Sequence, residues 1–404
     1  MTDQGKKLRV LYLVTEDWYF VSHRLGLARA VRDAGCDVTV VTRTRDHADV
    51  FGREGFRLVS FLLPRSKVSI VSEIKSIVNL VRVYRQERPD LVHHVALKPS
   101  LYGSLAAWLA SVPAVINAMT GLGFVFTAGH WLRPVLQPLV RITGRLLLSR
   151  ANSRIIVQNP NDMEILERAG IIRHGRASLI RGSGVNLLEF PPQPDPPGVP
   201  TVAMVSRLLW NKGVGELVEA ARILRSRGLK VRTLLIGMPD PDNPTSISEE
   251  QLCEWHDDAL VQWWGYRDSI AEVWRQAHVA VLPSYREGLP KSLLEAASCA
   301  RPIVATDVPG CREIVRPGEN GLLVPIRDAR SLADALETLL RDGKRRRAMG
   351  AKSRALVESE FHQDRVVAET LKVYESLLKA DLRPRTAPKQ VSKSLPGLAA
   401  KPGT

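Results

Sequence analysis

The sequence predicts an α/β protein built from two doubly wound, Rossmann-like domains that face each other across a cleft. Three observations lead to this prediction. Apolar strand-like runs alternate with amphipathic helical stretches along most of the chain, as expected for parallel sheets covered by helices. A proline-rich segment interrupts the alternation near the middle of the chain. The 404 residues are enough for two domains, at about 100–200 residues per domain.

The first domain is predicted to span residues 1–189. Its strand-like runs are Leu8–Val14, Asp37–Thr42, Leu91–Val95, Ala114–Asn117, Arg154–Gln158 and Ala177–Ile180. The helical stretches between them include Ser22–Ala34, Ser69–Gln86 and Pro134–Ser149. No charged residue occurs from Pro99 to Leu132, but proline, asparagine and glycine interrupt this span. We therefore expect a helix over 100–111, a strand and a glycine-rich loop there, and not a membrane-spanning helix.

A linker is predicted over residues 190–200, because its prolines exclude a helix and a central strand. The second domain then spans residues 201–362. Its strand-like runs are Thr201–Val205, Val231–Ile236, Val261–Trp264, Val279–Leu282 and Ile303–Thr306, and its helical stretches are Val214–Arg227, Ile270–Gln276, Ser292–Cys299 and Ser331–Leu340. A closing segment, 363–382, contains a last helix that we expect to pack back on the first domain. The basic tail, 383–404, is expected to be disordered.

Charge and cysteine content narrow the classes of function. The chain has 57 Lys and Arg against 42 Asp and Glu, a net charge of +15, which favours phosphate-bearing substrates or an anionic membrane surface. No zinc-finger, helix-turn-helix or RNA-recognition signature is present, so nucleic acid is not an expected partner. The four cysteines lie far apart without metal-ligand spacing, as in a reduced cytoplasmic protein. Asp240 and Asp242 resemble a short acidic metal motif, but neighbouring prolines favour a solvated loop.

The segment Arg286–Ala296, with the sequence REGLPKSLLEA, is the most informative part of the chain. A glycine turn leads from an apolar strand into a helix that starts near Pro290, and the unpaired amides of a helix N-terminus favour a phosphate. Glu287 and Glu295 lie beside this position, where carboxylates are suited to accept hydrogen bonds from sugar hydroxyls. The pattern predicts a nucleotide-sugar site, with an ordinary capped helix and solvated charges as the alternative.

Other strand ends of the second domain point to the same cleft. Arg207 and Lys212 follow the strand Thr201–Val205, and two cations there would neutralise a diphosphate. The alternative is an ordinary loop with surface cations. Further strand ends at which a base and a ribose would lie against the backbone are Gly237 and Gly265-Tyr266-Arg267. The chain has neither GxGxxG after the first strand nor a GxxxxGK[ST] phosphate loop, which disfavours a dehydrogenase or a P-loop enzyme.

These motifs, followed by the sequence GENGLLV at Gly318–Val324, resemble in their order the family 4 glycosyltransferases of GT-B architecture. The resemblance covers nearly the whole chain and is strongest in the second half. It implies a retaining glycosyltransferase that uses a nucleotide-diphosphate sugar and requires neither a metal ion nor another cofactor.

The resemblance also implies roles for individual residues. Glu287 would face the donor sugar, Arg207 and Lys212 would hold the diphosphate, and His94 would contact the sugar, so that these four are the expected catalytic residues. Glu295 would accept hydrogen bonds from the ribose. The other residues expected to bind the donor are Gly237, Gly265, Tyr266, Arg267, Gly288, Leu289, Lys291 and Ser292.

The histidines of the first domain depart from the family pattern. Related sequences often have two histidines separated by one residue, whereas His93 and His94 are adjacent. His94 is the expected contact, with His93 and Lys98 as alternatives on the acceptor or sugar side.

The first loop also departs from the pattern, because Tyr-Phe-Val at 19–21 replaces the usual paired glycines. Ser22, which we interpret as a helix N-cap, and His23 follow it. Both are candidates for the acceptor or sugar side, together with Thr120 and Gly121 in a loop that we expect to face the same cleft.

Two segments of the first domain, Arg65–Arg88 and His130–Arg150, combine cations with apolar residues. Basic amphipathic helices lie on anionic membranes, although a sheet-covering helix with a basic outer face has the same composition. Similar bacterial enzymes assemble capsule, O-antigen or N-glycan precursors, so the resemblance implies a lipid-linked saccharide acceptor and an anionic membrane surface as partners.

The sequence therefore predicts a cytoplasmic hexosyltransferase, peripheral on the inner face of the cell membrane. It would transfer a sugar, with a UDP-linked N-acetylhexosamine as the expected donor, to a saccharide on undecaprenyl diphosphate. The alternatives are a glycosyltransferase with a soluble acceptor, a nucleotide-sugar epimerase of the same architecture and a non-catalytic nucleotide-sugar-binding protein.

Overall fold

The computed structural model describes residues 7–64, 69–121, 133–172 and 175–382. These residues form two parallel sheets with helices packed against them, which confirms the predicted fold class. Four of the predicted segments lie wholly or partly outside the described residues. They are the tail 383–404, the glycine-rich loop beyond residue 121 and the starts of the two basic segments at 65–68 and 130–132.

The first sheet has seven parallel strands in the order β3-β2-β1-β4-β5-β6-β7. The strands are β1 (Arg9–Glu16), β2 (Asp37–Arg43), β3 (Arg57–Ser60), β4 (Leu91–Val95), β5 (Ala114–Met119), β6 (Ser153–Val157) and β7 (Ala177–Leu179). The helices are α1 (Asp17–His23), α2 (Leu25–Asp33), α3 (Ala48–Arg53), α4 (Ile70–Glu87), α5 (Leu97–Leu109), α6 (Arg133–Leu147) and α7 (Pro160–Arg168).

The second sheet has six parallel strands in the order β10-β9-β8-β11-β12-β13. The strands are β8 (Thr201–Val205), β9 (Arg232–Ile236), β10 (Gln262–Trp263), β11 (Val279–Leu282), β12 (Ile303–Thr306) and β13 (Gly321–Val324). The helices are α8 (Val214–Ser226), α9 (Glu249–Asp257), α10 (Ile270–Gln276), α11 (Lys291–Ser298), α12 (Pro309–Arg312), α13 (Ala329–Arg341) and α14 (Gly343–Glu360).

The strands of the first sheet are apolar because both of its faces are buried. In β1, Val10 and Tyr12 pack in the core formed with α2 and the last helix, α15 (Gln363–Leu378). Leu11 and Leu13 point to the opposite face and pack in the core formed with α4 and α5. The helix α15 thus covers the first sheet although it follows the second domain in the chain.

The proline-rich linker is anchored to the second domain. Asp195 accepts a hydrogen bond from Arg346, with Nη2 and Oδ2 2.8 Å apart. The nearly buried Arg301 donates to the Pro194 carbonyl at 2.8 Å, and Arg354 donates to the Phe190 carbonyl at 3.0 Å. These bonds satisfy backbone groups that a chain without helix or strand otherwise leaves unpaired.

Candidate active site

Loops that follow the strands of the two sheets meet between the domains. In each sheet the strand order reverses, between β1 and β4 in the first and between β8 and β11 in the second. Ligands of doubly wound sheets bind at such points, because the adjoining loops there lead to opposite faces and leave a crevice. Contacts between the loops after β5 and β6 and the loop after β11 bring the two crevices together.

The Glu287 loop, Arg286–Gly288, lies in the connection between β11 and α11. Lys212 lies opposite it, and its Nζ is 2.5 Å from Glu287 Oε1. The next residue, Gly213, has a φ of +77°, and a Cβ there would lie 2.0 Å from the Pro283 carbonyl oxygen. Only glycine fits such a close backbone contact. The contact therefore holds the turn that contains Lys212 against the loop after β11.

Arg207, the second predicted cation, also has a carboxylate partner. Its Nη1 lies 2.7 Å from Asp240 Oδ2. Two residues further along, Asp242 Oδ2 lies 2.9 Å from Arg43 Nη1 and 3.1 Å from Arg45 Nη2 of the first domain. We expected the loop that contains Asp240 and Asp242 to be solvated. Instead, Asp240 is paired with Arg207 of the candidate site and Asp242 with two arginines of the first domain.

The helix α11 places Lys291 and Glu295 one turn apart, with Nζ and Oε1 2.8 Å from each other. Burial raises the pKa of Glu295, and the neighbouring ammonium opposes that shift. Burial alone would lower the pKa of Lys291, but Glu295 outweighs it and the net shift is upward. Ser292 lies in the same first turn. The helix thus presents a buried carboxylate near unpaired amides, where hydroxyl groups of a ligand find acceptors and donors together.

The strand ends predicted to hold a base and a ribose lie side by side. The Gly237 amide donates to the Gly265 carbonyl at 2.9 Å. A Cβ on Gly237, which has a φ of +132°, would lie 1.9 Å from the Ser206 carbonyl oxygen. Tyr266 is 62% exposed, and the Arg267 guanidinium lies 5.4 Å from the centroid of the Trp264 ring. The exposed ring of Tyr266 therefore lies near the loop that contains Arg207.

Gly288 permits a close contact between the two domains. A Cβ there would lie 2.4 Å from the Thr120 carbonyl oxygen and 2.8 Å from Gln158 Oε1. We expected this glycine to allow the approach of a ligand, whereas in the structure the first domain is what approaches it. The neighbouring Leu289 packs in the same way on Gly182, where a Cβ would lie 2.5 Å from Leu289 Cδ2.

The helix α1 brings His23 to the cleft. The ring stacks on Tyr19 with centroids 4.0 Å apart, and Nδ1 lies 2.5 Å from Ser22 Oγ. The pKa of His23 is well below its usual value because the ring is enclosed, and Lys291 of the second domain lowers it further by repulsion. Ser22 lies inside α1, which begins at Asp17, so its interpretation as an N-cap was wrong.

His94 does not lie in the cleft, which corrects the prediction that it contacts the sugar. The ring is fully buried, with Nε2 3.0 Å from Tyr84 Oη and Nδ1 2.8 Å from Asn117 Oδ1. Burial lowers its pKa to about 4. The structure also buries His93, whose Nδ1 is hydrogen-bonded to Tyr374 Oη on α15. Adjacent residues of a strand point to opposite faces, and here both faces are core.

Lys98, the other alternative, is held against α4. Its Nζ lies 2.8 Å from Glu73 Oε1 and 2.6 Å from the Pro64 carbonyl oxygen. Thr120 lies in the cleft through its contact with Gly288, and Gly121 follows it with a φ of +136°, a conformation that favours glycine. Of the candidates in the first domain, the structure thus brings His23 and Thr120 to the residues of the second domain.

Sequence reasoning missed two residues of the first domain that hold the Glu287 loop. Asn159 Nδ2 donates to the Gly288 carbonyl at 2.9 Å, and Asp162 Oδ1 lies 3.2 Å from Arg286 Nη2. The local pattern Asn-Pro-Asn-Asp at 159–162 is an N-cap followed by a proline at the first helical position, and it predicts the start of α7. Nothing in that pattern indicates a partner in the other domain.

Comparisons with known proteins identify the family. Residues 9–159 match the family model described as glycosyl transferase 4-like, and residues 199–342 match the one described as glycosyl transferases group 1. The chain is 26% identical to the N,N'-diacetylbacillosaminyl-diphospho-undecaprenol alpha-1,3-N-acetylgalactosaminyltransferase of Campylobacter jejuni, over 88% of this chain and 95% of that protein. It is 30% identical to the D-inositol 3-phosphate glycosyltransferase of an Arthrobacter species, over 87% of this chain and 88% of that protein.

Among solved structures, the sucrose-phosphate synthase of Thermosynechococcus elongatus superposes with a TM-score of 0.76 at 22% identity, over 93% of this chain and all of that one. This likeness concerns the GT-B fold alone. The two family models and the extended similarity to named glycosyltransferases favour sugar transfer over the epimerase alternative. The chain belongs to the family 4 glycosyltransferases and is a hexosyltransferase of GT-B architecture.

Proposed function

We propose that this enzyme transfers an N-acetylhexosamine residue from a UDP-linked donor to a saccharide on undecaprenyl diphosphate, with retention of configuration. It would act in the cytoplasm, at the inner face of the cell membrane, in the assembly of a surface polysaccharide or glycan. The observation that supports the chemistry is the cluster at the ends of β8 and β11, where Lys212 contacts Glu287 and Arg207 lies on the same loop.

The leaving diphosphate is the centre of the proposed mechanism. As the bond between the anomeric carbon and the diphosphate oxygen breaks, the acceptor hydroxyl forms its bond on the same face of the sugar. The proton of that hydroxyl passes to the departing phosphate oxygen. Lys212 and Arg207 stabilise the charge that develops on the diphosphate, and preorganised stabilisation of this kind often lowers the barrier more than any other effect. Glu287 orients the transferred sugar, and Glu295 accepts hydrogen bonds from the ribose.

Both cations have carboxylate partners, Glu287 for Lys212 and Asp240 for Arg207. In the proposed reaction the diphosphate replaces Asp240 as the partner of Arg207 and shares Lys212 with Glu287. Two fixed cations then supply the charge that neutralises the diphosphate, so we propose that transfer requires no metal ion. Addition of a chelator would leave the rate unchanged, whereas a rate that falls with chelator and returns with Mg²⁺ would contradict this part of the proposal.

An exposed surface on the first domain supports a lipid-linked acceptor. Helix α5 packs between α4 and α6, and all three helices expose large apolar side chains there. We call this surface the basic apolar face. Its apolar residues are Ile70, Val71, Ile74 and Val78 on α4, Trp108 and Leu109 on α5, and Ile142 and Leu146 on α6. The exposed cations among them are Lys75, Arg82, Arg85, Arg141 and Arg145.

The spacing of Ile70, Ile74 and Val78 puts their side chains on one side of α4, where they are 80%, 56% and 43% exposed. Exposed aliphatic side chains at this spacing, surrounded by arginine and lysine, are suited to an interface with anionic lipid. Among the helices that the structure describes, none combines the length and hydropathy of a transmembrane span.

The two relatives support different acceptors. The name of the Campylobacter jejuni protein specifies a saccharide on diphospho-undecaprenol, whereas that of the Arthrobacter protein specifies D-inositol 3-phosphate. A soluble acceptor is therefore the second candidate function. The basic apolar face favours the lipid-linked acceptor, because binding of a soluble phosphorylated acceptor does not require exposed isoleucines.

A donor panel followed by a transfer assay tests the proposal. Thermal stabilisation by a series of nucleotide sugars would identify the donor, since a bound ligand raises stability according to its affinity. UDP release is then measured with a saccharide on undecaprenyl diphosphate, with a soluble sugar phosphate and with no acceptor, and the anomeric configuration of the product is read by NMR. Release with the soluble acceptor alone, or isomerised sugar without any acceptor, would refute the proposal.

Co-sedimentation with anionic vesicles tests the membrane interface separately. Ile74→Asp would reduce vesicle binding at low salt, because it places a charge in the centre of the basic apolar face. Ile326→Asp, at a 48% exposed isoleucine of the second domain, is the matched control and would bind as the wild type does. Equal binding by both variants would rule out this face as the interface, and no binding by the wild type would favour the soluble acceptor.

A further inference from the structure

The first domain holds the Glu287 loop through the side-chain amide of Asn159. This residue is fully buried, and both ends of its amide are bonded. Oδ1 accepts from the backbone amide of Asp162 at 2.8 Å, which caps α7. Nδ2 donates to the Gly288 carbonyl at 2.9 Å. One side chain thus combines a local cap with a hydrogen bond between the domains.

Asp162 and Arg286 form an ion pair that supports the same contact. Asp162 is 2% exposed, and its Oδ2 accepts from Asn159 Nδ2 at 3.1 Å while its Oδ1 lies 3.2 Å from Arg286 Nη2. Burial raises the pKa of this carboxyl, and Arg286 and Asn159 oppose the shift. A buried carboxylate is costly unless it is paired and hydrogen-bonded. The buried Asp162 therefore holds Arg286 beside it, and this ion pair holds the Glu287 loop against the first domain.

The Glu287 loop has little space in which to move. On the side of the second domain, a Cβ at Gly310 would lie 2.6 Å from the Glu287 and Gly288 carbonyl oxygens. On the other side, the Thr120 carbonyl and Gln158 approach Gly288 closely enough to exclude a Cβ. The peptide groups on both sides of Gly288 are thus enclosed by the two domains, and Glu287 is the residue immediately before them.

We propose that Asn159, supported by Asp162 and Arg286, is a positioning residue that aligns the Glu287 loop for transfer when the two domains are in contact. This inference rests on the proposed function, because it assumes that Glu287 faces the transferred sugar. Asn159 touches no reacting atom itself. Its hydrogen bond to the Gly288 carbonyl orients the loop, and small displacements at a reacting centre lower rates steeply.

The substitution Asn159→Ser separates the two roles of this side chain. Serine is an N-cap as good as asparagine, so α7 keeps its start, but the shorter side chain has no amide to reach Gly288. We expect kcat to fall at least tenfold, while KM for the donor and the affinity for UDP stay close to those of the wild type. The unfolding temperature falls modestly, because the Gly288 carbonyl and the Asp162 carboxylate each lose a hydrogen bond. Asp328→Ser, a substitution at the cap of α13 whose carboxylate bonds Ser331 of its own helix, is the matched control with unchanged kcat.

Hydrogen exchange gives a readout that needs no acceptor. With UDP bound, the amides of residues 286–289 are expected to exchange faster in Asn159→Ser than in the wild type, and Arg286→Gln is expected to produce the same change. Unchanged exchange and unchanged kcat in Asn159→Ser would overturn the inference. So would a loss of UDP affinity in proportion to kcat, because that result assigns Asn159 a structural role only.

The same measurements separate this inference from the proposed function. A wild type that transfers sugar to no acceptor would refute the proposed function, while exchange at residues 286–289 would still decide whether Asn159 orders the loop. Conversely, an active wild type together with a fully active Asn159→Ser would preserve the proposed function and overturn the positioning role.

Discussion

Each cation expected to meet the diphosphate has its own carboxylate partner. Lys212 is paired with Glu287 and Arg207 with Asp240. The Lys212 and Glu287 side chains are only 19% and 10% exposed, and charges with so little access to water are tolerable only when they are paired. The pairing also keeps the side chains extended toward the place where the diphosphate is proposed to bind, so that the donor meets an ordered site.

Lys212→Ala tests the role of the first pair. We expect kcat to fall by about 10²–10³-fold, because a preorganised donor to the leaving group is lost and Glu287 is left without its partner. The control is Arg222→Ala, which removes an exposed cation paired with Glu219 on α8 and would leave kcat unchanged. A kcat for Lys212→Ala within twofold of the wild type would contradict the assignment.

Gly310→Ala tests the enclosure of the Glu287 loop from the side of the second domain. The added Cβ would meet two backbone carbonyl oxygens at 2.6 Å, so either α12 or the loop must shift, at a cost of about 1–3 kcal/mol in the free energy of unfolding. We expect lower stability in denaturant titration together with a lower kcat. Gly52→Ala is the control, because nothing lies within 4 Å of its Cβ; if the two alanine variants behaved alike, the enclosure would be refuted.

At the scale of elements, β4 is the strand whose role changes most between sequence and structure. Its bounds, Leu91–Val95, are those that the sequence predicts, and all five residues are buried. A buried hydrogen-bond relay runs from Tyr84 on α4 through His94 to Asn117 on β5 and on to Ser153 on β6. Polar residues in such a relay fix the packing of neighbouring elements. This role accounts for His94 without any contact with a sugar.

The buried histidines predict a loss of stability in acid. The pKa of His94 falls from 6.5 to about 4 on burial, and that of His93 shifts in the same direction. Between these values the unfolded chain binds more protons than the folded one. The free energy of unfolding therefore falls as the pH drops below 6.5, by up to about 1.4 kcal/mol per pH unit for each histidine, and is unaffected by them above it.

Denaturant titrations of the wild type and His94→Asn between pH 4.5 and 7.5 test this prediction. The variant is expected to be less stable at pH 7 because it loses packing. Its free energy of unfolding would fall less steeply as the pH drops, because one proton fewer is bound on unfolding. Equal slopes for the two proteins would show that His94 is not the titrating group.

The strands that the sequence predicts with correct bounds share one physical property. The strands β4, β8, β11 and β12 are short and almost fully buried, and burial on both faces restricts which residues can occupy them. The helix α10, whose bounds are also as predicted, buries only Val273 and Trp274. The strand β3 was missed because it is a partly exposed edge of four residues. The helix α14 was missed because it begins Gly-Lys-Arg-Arg-Arg and buries few of its side chains.

At the scale of the whole molecule, two of the contacts that join the domains differ in kind. One is the contact of Thr120, Gln158 and Asn159 with Gly288, which we call the seam. The other is the pair of arginines on the first domain, Arg43 and Arg45, that face Asp242. The seam is buried and short-ranged, whereas the ion pairs are about one-third exposed and act over a longer distance.

Asp242→Ala tests the contribution of the exposed ion pairs. Such pairs contribute about 0–1 kcal/mol each, and here they favour the contact between the domains. We expect the unfolding temperature to change little, while the affinity for UDP falls by about 2–5-fold at low salt, as 0.4–1 kcal/mol implies. In 0.5 M salt the difference from the wild type would disappear because the pairs are screened.

The control for this prediction is Asp257→Ala, which removes an exposed carboxylate on α9. It would leave UDP affinity unchanged at every salt concentration. A difference between Asp242→Ala and the wild type that persists in high salt would show that Asp242 acts by some means other than these ion pairs.

The candidate site was predictable only in part, and the reason lies in how its residues are distributed. Glu287, Gly288 and Glu295 belong to one loop and one helix, so a local motif identifies them. Asn159 and Gly288 are 129 residues apart, and no spacing rule connects them. The prediction for His94 failed because adjacent residues of a strand point to opposite faces, and the local sequence does not reveal that both faces of β4 are buried.

The seam also limits how this enzyme can be re-engineered. Exchanging the second domain for that of a relative with another donor is an obvious way to change specificity, because the Glu287 loop belongs to that domain. A hybrid of this kind must also bring matching residues at 120, 158 and 159, since a side chain larger than hydrogen at position 288 collides with the first domain. A productive crossover would therefore graft the strand ends after β5 and β6 along with the imported domain.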